Sequence, residues 1–501
     1  MLRNFPLGGK KMNKRLLILL AGTSLIVAGC SLAPEYIRPE APVPGEWPQG
    51  SSYKNAEVES GTVAVPELSR ERFFPDQQLQ KIITMALNNN RDLRLAVLNV
   101  ERTRAMYGIQ RAELFPAVGV SGGAGKQRLS SDLIGPGDSR TLERYSVNLG
   151  VASWEIDFFG RIRSLSERAL DEYLATEQAQ RSAQIALVSE VARVYLTLAK
   201  DRENLKLAQE TLEAQQGDYD LIRCRYDVGV ATELDLQRAQ TRVDAAKRDI
   251  AGFTRQVAQD QNGLNLLAGS PVPDNILPAD LSSVIPPEEI SPGLSSEVLL
   301  SRPDIIAAEY RLKGAYALIG AARASFFPRI SLTTSIGTAS DDLSGLFSSG
   351  TDVWNFAPRI VMPIFDARVW AALRVSEADQ KILLTQYEKT IQTAFREVTD
   401  ALAVQGTINQ QIAAQQSLVD ATEKTYRLAT KRYEKGIDDY LGVLDAQRSL
   451  YAQQRVLITL QLAKLVNRVN LYAVLGGGGD PEVRNQKTED RMESDDGHCE
   501  K

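Results

Sequence analysis

Histidine is almost missing from this sequence. The 501 residues contain one, His498, in a polar C-terminal stretch, so no Ser-His-Asp set and no histidine-based metal cluster can be assembled. Cysteine is scarce as well: Cys30, Cys224 and Cys499 form neither a metal-ligand cluster nor a disulfide framework. There is no excess of positive charge, with 58 Lys and Arg against 63 Asp and Glu, which excludes nucleic-acid binding by an overall basic surface. A phosphate loop is lacking too. "GVSGGAGK" at 119–126 has Val120 where the first Gly is required, and Lys126 is followed by Gln127 rather than Ser or Thr. The acids elsewhere interleave with Arg and Lys at helical spacings, the pattern of solvated faces. The sequence therefore predicts no enzyme, no cofactor and no bound metal. What it does have is 43% hydrophobic residues, enough for a large buried core.

Long apolar runs are limited to one, "LLILLAGTSLIV", preceded by Lys10, Lys11, Lys14 and Arg15. It is too short to span a bilayer as a mature helix and reads as a signal peptide over residues 1–29. The run closes on "VAGC", which resembles the lipobox of bacterial lipoproteins. The resemblance implies that Cys30 is lipidated and becomes the N-terminus. Ser31, in place of the Asp that retains lipoproteins in the inner membrane, implies outer-membrane delivery. An ordinary signal peptide with a chance cysteine is the alternative, and "MNKRLL" at Met12 is a more natural start than Met1. Residues 1–29 carry five basic and no acidic side chains, so the remainder has 53 basic and 63 acidic residues, net −10.

An internal duplication organises the rest. "RYDVG" at 225–229 and "RYEKG" at 432–436 lie 207 residues apart, and Leu234 with Leu441 and Gln240 with Gln447 keep that offset. Upstream the offset is 212, matching "AELFPAV" at 112–118 with "ASFFPRI" at 324–330. The chain divides into an N-terminal lipid-anchored and equatorial segment (30–91), repeat 1 (92–269), a Pro-rich linker (270–303), repeat 2 (304–479) and a polar tail (480–501). Within each repeat the hydrophobic period changes twice. A helical stretch ends at Pro116; alternation then takes over, with Tyr145, Val147, Leu149 and Val151 on one face, and a β-hairpin is expected over 116–154 and again over 328–363. Long helices follow, from about Arg161 to Tyr226 and from about Ala367 to Tyr433, each about 100 Å at 1.5 Å per residue. Turns at 226–232 and 433–439 lead into return helices.

Two adjacent apolar seams run along the first long helix: Leu187, Val191, Val194 and Leu198, and beside them Ile185, Val188, Ala192, Tyr195 and Ala199. One seam would suit a two-stranded coiled coil; two mean a neighbour on either side, as in a wall or cylinder of helices. A stalk bundle with a filled centre is the alternative these seams leave open. The strands require more. Four cannot close a membrane barrel, which needs at least about eight, so the chain must oligomerise.

The turns carry their own chemistry. Gly229 and Gly436 suit the left-handed conformation that stops helices, Arg225 favours a helix C-terminus, Thr232 can cap the return helix with Asp235 as capping-box acid, and Asp439 can cap directly. Capping leaves Val228, Val230 and Ile437 unexplained, unless neighbouring hairpins pack on them.

The lipobox with "APEYIRPEAPVPGEWP", the duplicated helix, hairpin, long helix and return helix, "SRPDI" at 301–305 and the two Gly turns together resemble the TolC family of outer-membrane factors, in its lipoprotein multidrug-efflux branch. The resemblance covers the chain from Cys30 to about Gly479. It implies a mixed α and β fold: a homotrimer whose 12-stranded transmembrane β-barrel, four strands per chain, is continuous with a long periplasmic α-helical barrel. It implies outer-membrane lipid around the barrel, a periplasmic membrane-fusion adaptor docked at the turns, and an inner-membrane pump of the resistance-nodulation-division class. The docking residues it implies are Val228, Gly229 and Val230, with Lys435, Gly436 and Ile437 as a partial match. For the periplasmic gate it implies Leu441 and Asp445, a further family acid being replaced by Gly442, with Asp235, Tyr433 and Asp438 at positions that tie helices together. Asp438 stands where some relatives have a basic residue. Arg238, at the position of Asp445 in the other repeat, is an alternative local partner. A type I protein-secretion duct and a structural lipoprotein stalk without a pore are the rival readings.

Overall fold

The structure, a computed structural model, describes residues 31–53, 69–130, 132, 135, 139–290 and 295–477. Cys30, the signal peptide expected over residues 1–29 and the polar tail expected over 480–501 lie outside the described residues. The element order is α1 (Arg70–Phe73), α2 (Gln77–Asn89), α3 (Arg91–Ala112), β1 (Val118–Arg128), β2 (Thr141–Ile156), α4 (Arg161–Asp227), α5 (Glu233–Ala268), α6 (Pro303–Ala324), β3 (Arg329–Ser340), β4 (Asp352–Val361), α7 (Ala367–Glu434) and α8 (Tyr440–Val474). Both hairpins, both long helices and both return helices stand where the periodicity put them, and the glycine-rich stretch 119–126 lies within strand β1. No helix among the described residues is long and apolar enough to cross a membrane.

The described residues form two compact units, neither of which follows the repeat boundary. One comprises the residues up to Pro39, Val100–Thr176 and Ala308–Tyr387; the other comprises Glu40–Asn99, Glu177–Ala307 and the residues from Glu388 on. The first contains a four-stranded antiparallel sheet in the order β1-β2-β3-β4. Its register carries a row of apolar residues across all four strands, Val120 opposite Leu149, Leu149 opposite Ile336 and Ile336 opposite Trp354, and all four are exposed. One position along, Gly119, Gly150, Ser335 and Asn355 form the next row. Because side chains alternate along a strand, the two rows face opposite ways: one face is apolar, the other small and polar. Strands β1 and β4 are the open edges.

In the same unit an N-terminal strap lies along α6. Arg38 forms an ion pair with Glu309, Tyr36 packs edge-on against Tyr316 at 5.5 Å, and Lys313 sits 5.2 Å above the Tyr36 ring while pairing with Glu309 at 3.3 Å. Gly320 is required there, since a Cβ would come within 2.8 Å of Ala33. The strap separates two helices that occupy equivalent places in the duplication. Helix α6 buries Ile305, Leu312, Ile319 and several alanines, whereas α3 buries only Leu93 and leaves Leu95, Leu98, Met106 and Ile109 exposed.

The second unit is held by interhelical contacts. The first expected seam is buried at Leu187, Val191 and Leu198 and the second at Val188, Ala192, Tyr195 and Ala199, with Val194 and Ile185 partly exposed. Phe73 stacks on Tyr472 at 4.5 Å and touches Phe74 edge-on. The "SRPDI" arginine, Arg302, is nearly buried, where its guanidinium meets Asp304 at 2.7 Å, Glu397 at 3.0 Å and the Val474 carbonyl at 2.8 Å. That one group ties the start of α6 to α7 and to the end of α8. A buried cation with three acceptors is costly to break, because removing it strands two carboxylates.

The two sheet faces make a direct prediction. Trp354→Arg puts a charge in the apolar row and should cost about 2–4 kcal/mol if that face meets hydrocarbon. Asn355→Arg, on the opposite face, should be tolerated. Membrane fractionation of the two variants checks this, with loss of outer-membrane protein expected for Trp354→Arg alone.

Candidate functional site

The two turns have the same backbone. Helix α4 ends with Gly229 at φ +79° and α7 with Gly436 at φ +70°. The Gly229 amide donates to Tyr226 O at 2.9 Å and that of Val230 to Arg225 O at 2.8 Å; 207 residues on, Gly436 donates to Tyr433 O at 2.9 Å and Ile437 to Arg432 O at 2.9 Å. This is the Schellman arrangement, which satisfies carbonyls the helix end would otherwise leave free. The return helices begin with the caps the sequence predicts. Thr232 accepts from Asp235 N at 3.2 Å, and Asp235 reaches back to Thr232 N at 3.3 Å, completing a capping box. Asp439 accepts from Gly442 N at 3.4 Å.

With the turn backbone satisfied locally, the side chains at its apex serve no capping need. Val228 and Val230 are 73% and 76% exposed and Ile437 is 57% exposed. Gly229, Lys435 and Gly436 are exposed beside them. Behind the turns the helices pack on a cluster of Ile222, Ala239, Tyr440, Val443 and Leu444, flanked by Leu236, Tyr426 and Tyr433. Tyr433 lies 5.1 Å from the Tyr440 ring and carries the Arg225 guanidinium 4.9 Å from its centroid, so it braces the two turns against each other.

Leu441 and Asp445 both lie on the exposed side of α8, one turn apart. Within the protomer Asp445 pairs with Arg448 at 3.4 Å, while Arg238, expected as a partner of Asp445, lies 3.9 Å from Asp235. Proximity along each helix accounts for the difference, since residues three apart are neighbours on one face. Arg242 on α5 lies in the field of Asp445 and Arg448, and burial pushes its guanidinium below the usual arginine range. Asp438, where the resemblance implies a helix-tying role, pairs within its own turn with Arg432, at 2.5 and 2.9 Å, and this holds its carboxyl below the usual range. Arg448 and Arg432 were missed in the sequence. The three-residue spacing from Asp445 could have revealed Arg448, whereas Arg432 reaches Asp438 only because the Gly436 turn folds the chain back.

Residues 82–270 and 294–477 match the family described as outer membrane efflux protein. The chain is 47% identical over 466 residues, 92% of its length and 95% of the relative's, to the probable efflux pump outer membrane protein TtgC of Pseudomonas putida. Among solved structures it resembles a membrane protein from Pseudomonas aeruginosa, with a TM-score of 0.84 and 40% identity over 90% of this chain and 98% of the other. It also resembles the open state of the Neisseria gonorrhoeae MtrE outer membrane channel, with a TM-score of 0.80 and 38% identity over 89% and 98%. The fold is that of a trimeric outer-membrane channel, in which four strands from each of three protomers close a 12-stranded barrel. The chain belongs to the outer membrane efflux protein family, as a trimeric outer-membrane channel and not an enzyme.

Proposed function

We propose that the trimer is the exit channel of a tripartite multidrug efflux system, taking drugs and other small molecules from a resistance-nodulation-division pump and a periplasmic membrane-fusion adaptor. In this reading residues 92–269 and 304–479 are the two repeats, each bearing one turn. The observation that carries it is the exposure of Val228, Val230 and Ile437 on turns whose backbone needs nothing further. Apolar side chains left in water at the apex of a helical hairpin fit a protein partner. Val228, Gly229 and Val230 are the principal docking element, and Lys435, Gly436 and Ile437 the lesser one. Leu441 and Asp445 form the gate, with three carboxylates per trimer converging on the axis. Like charges so placed repel; Arg448 and Arg242 are the cations that relieve them, and Asp235, Tyr433 and Asp438 stiffen the turns rather than lock the ring.

The lipid anchor at Cys30 belongs to the same proposal. What supports it is the tether just downstream, where Arg323 in the last turn of α6 donates to the Leu32 carbonyl at 3.2 Å. Residue 32 is thereby held close to the start of β3, two residues from the cysteine.

Three outcomes test these assignments. A Cβ at Gly229 meets no atom within 4 Å, but Gly229→Leu pays about 1–2 kcal/mol for a left-handed backbone. In a deletion strain it should restore outer-membrane trimer yet leave antibiotic susceptibility at the level of the deletion; full resistance would remove the turn from docking, and a wild-type gene that restores protein export but no drug resistance would favour the secretion duct. Asp445→Ala should raise single-channel conductance and weaken block by multivalent cations. Cys30→Ala should abolish incorporation of labelled palmitate, and retained label would place any acylation elsewhere.

A further inference from the structure

The sheet face opposite the apolar row carries unpaired charge of one sign. Register fixes which strand residues share that face: Arg329 lies opposite Val361, Ser331 opposite Arg359 and Ser335 opposite Asn355. Paired residues point the same way and side chains alternate along a strand, so these rows all lie on the Asn355 side. On β2, Glu155 joins the row of Ser331 and Arg359, and Arg144, opposite Gly125, lies on the same side. Both oxygens of Glu155 are taken by Arg161, at 2.8 and 2.7 Å. Arg144, Arg329 and Arg359 are exposed and make no ion pair or side-chain hydrogen bond among the described residues. The apolar face is balanced by comparison: Lys126 pairs with Glu143, and its other strand charges are Arg128 and Asp352.

Two of the three arginines are close enough to act together. Arg329 and Ser331 are two residues apart on β3, and Arg359 faces Ser331 from β4, so the arginines are diagonal neighbours about 7–8 Å apart with a hydroxyl between them. Guanidinium groups at that spacing can both reach one oxyanion, each offering a planar fork of donors that matches phosphate or carboxylate. Nothing bulky crowds them from the subunit edge. Strand β1, which the closed ring brings beside β4, has Gly119, Ser121, Gly123 and Gly125 on this face. In a membrane barrel the face turned away from hydrocarbon lines the pore.

We propose that Arg329, Ser331 and Arg359 form an oxyanion-binding site on the pore wall, with Arg144 a further positive position nearer the hairpin loops, and that the barrel favours cargo carrying a phosphate or carboxylate group. Composition does not produce this sign, since the chain after residue 29 has 53 basic and 63 acidic side chains. Arginine rings in a pore wall raise the local concentration of anions. Exposed sites repeated around a ring bind weakly enough to let the anion leave as well as enter.

The assignment rests on the channel reading and names a class of cargo for it. Its test is the current through purified full-length trimers in planar bilayers, with inorganic pyrophosphate as the probe at fixed ionic strength. Pyrophosphate should reduce the wild-type current. Arg329→Gln and Arg359→Gln should each raise the concentration for half block by about tenfold and shift the reversal potential in a potassium chloride gradient toward cation preference. Arg359→Lys, which keeps the charge but not the fork, should keep the reversal potential and weaken the block. Asp352→Asn, on the opposite face, should change neither. Block that is unaltered in both Gln variants, or in Arg359→Lys should they not assemble, would overturn the site, as would an equal shift in Asp352→Asn. A wild-type pore indifferent to pyrophosphate overturns the anion site alone; wild-type trimers that form no pore overturn the channel reading.

Discussion

The sheet β1-β2-β3-β4 ends on two strands whose outer backbone groups find no partner within the protomer, and in hydrocarbon each such group costs several kcal/mol. Pairing β4 of one protomer with β1 of the next removes both edges at once, and three copies close the ring. That requirement also gives a reason for the bare apolar side of α3. A helix leaving Leu95, Leu98, Met106 and Ile109 in water belongs to a protomer that is not meant to stand alone, while its counterpart α6 is covered by the protomer's own N-terminal strap. The duplication thus yields one helix covered within the protomer and one left bare there.

The two turns show the same division of labour at smaller scale. Their backbone hydrogen bonds coincide across 207 residues, because a left-handed glycine and a Schellman pair are the economical way to end a long helix and reverse it. Their side chains diverge. The first keeps two exposed valines and a capping box; the second keeps one isoleucine, an internal Arg432–Asp438 pair, and a return helix with Leu441 and Asp445 on its exposed side.

Much of this is legible in the sequence, for identifiable reasons. Long helices, hairpins and turns are local: period, glycine and capping residues announce them, and the structure agrees to within a residue or two at the ends of α4 and α7. The pairing of charges was less legible. Arg238 reads as a partner for Asp445 only by analogy between repeats, and the structure pairs each with a neighbour on its own helix. The grouping of the chain into two compact units is equally invisible, because each is built from segments of both repeats.

The strap has a consequence for the order of folding. Arg38 and Glu309 are 271 residues apart in sequence, so closing that contact in an otherwise unstructured chain would cost about 5 kcal/mol of loop entropy, while an ion pair whose Glu309 side chain is only 8% exposed must also offset desolvation. The contact can form only when the intervening helices and strands have already brought its two ends together. The N-terminal strap is therefore a late element of folding, fastened over α6 once the chain between residues 38 and 309 has brought its two ends together.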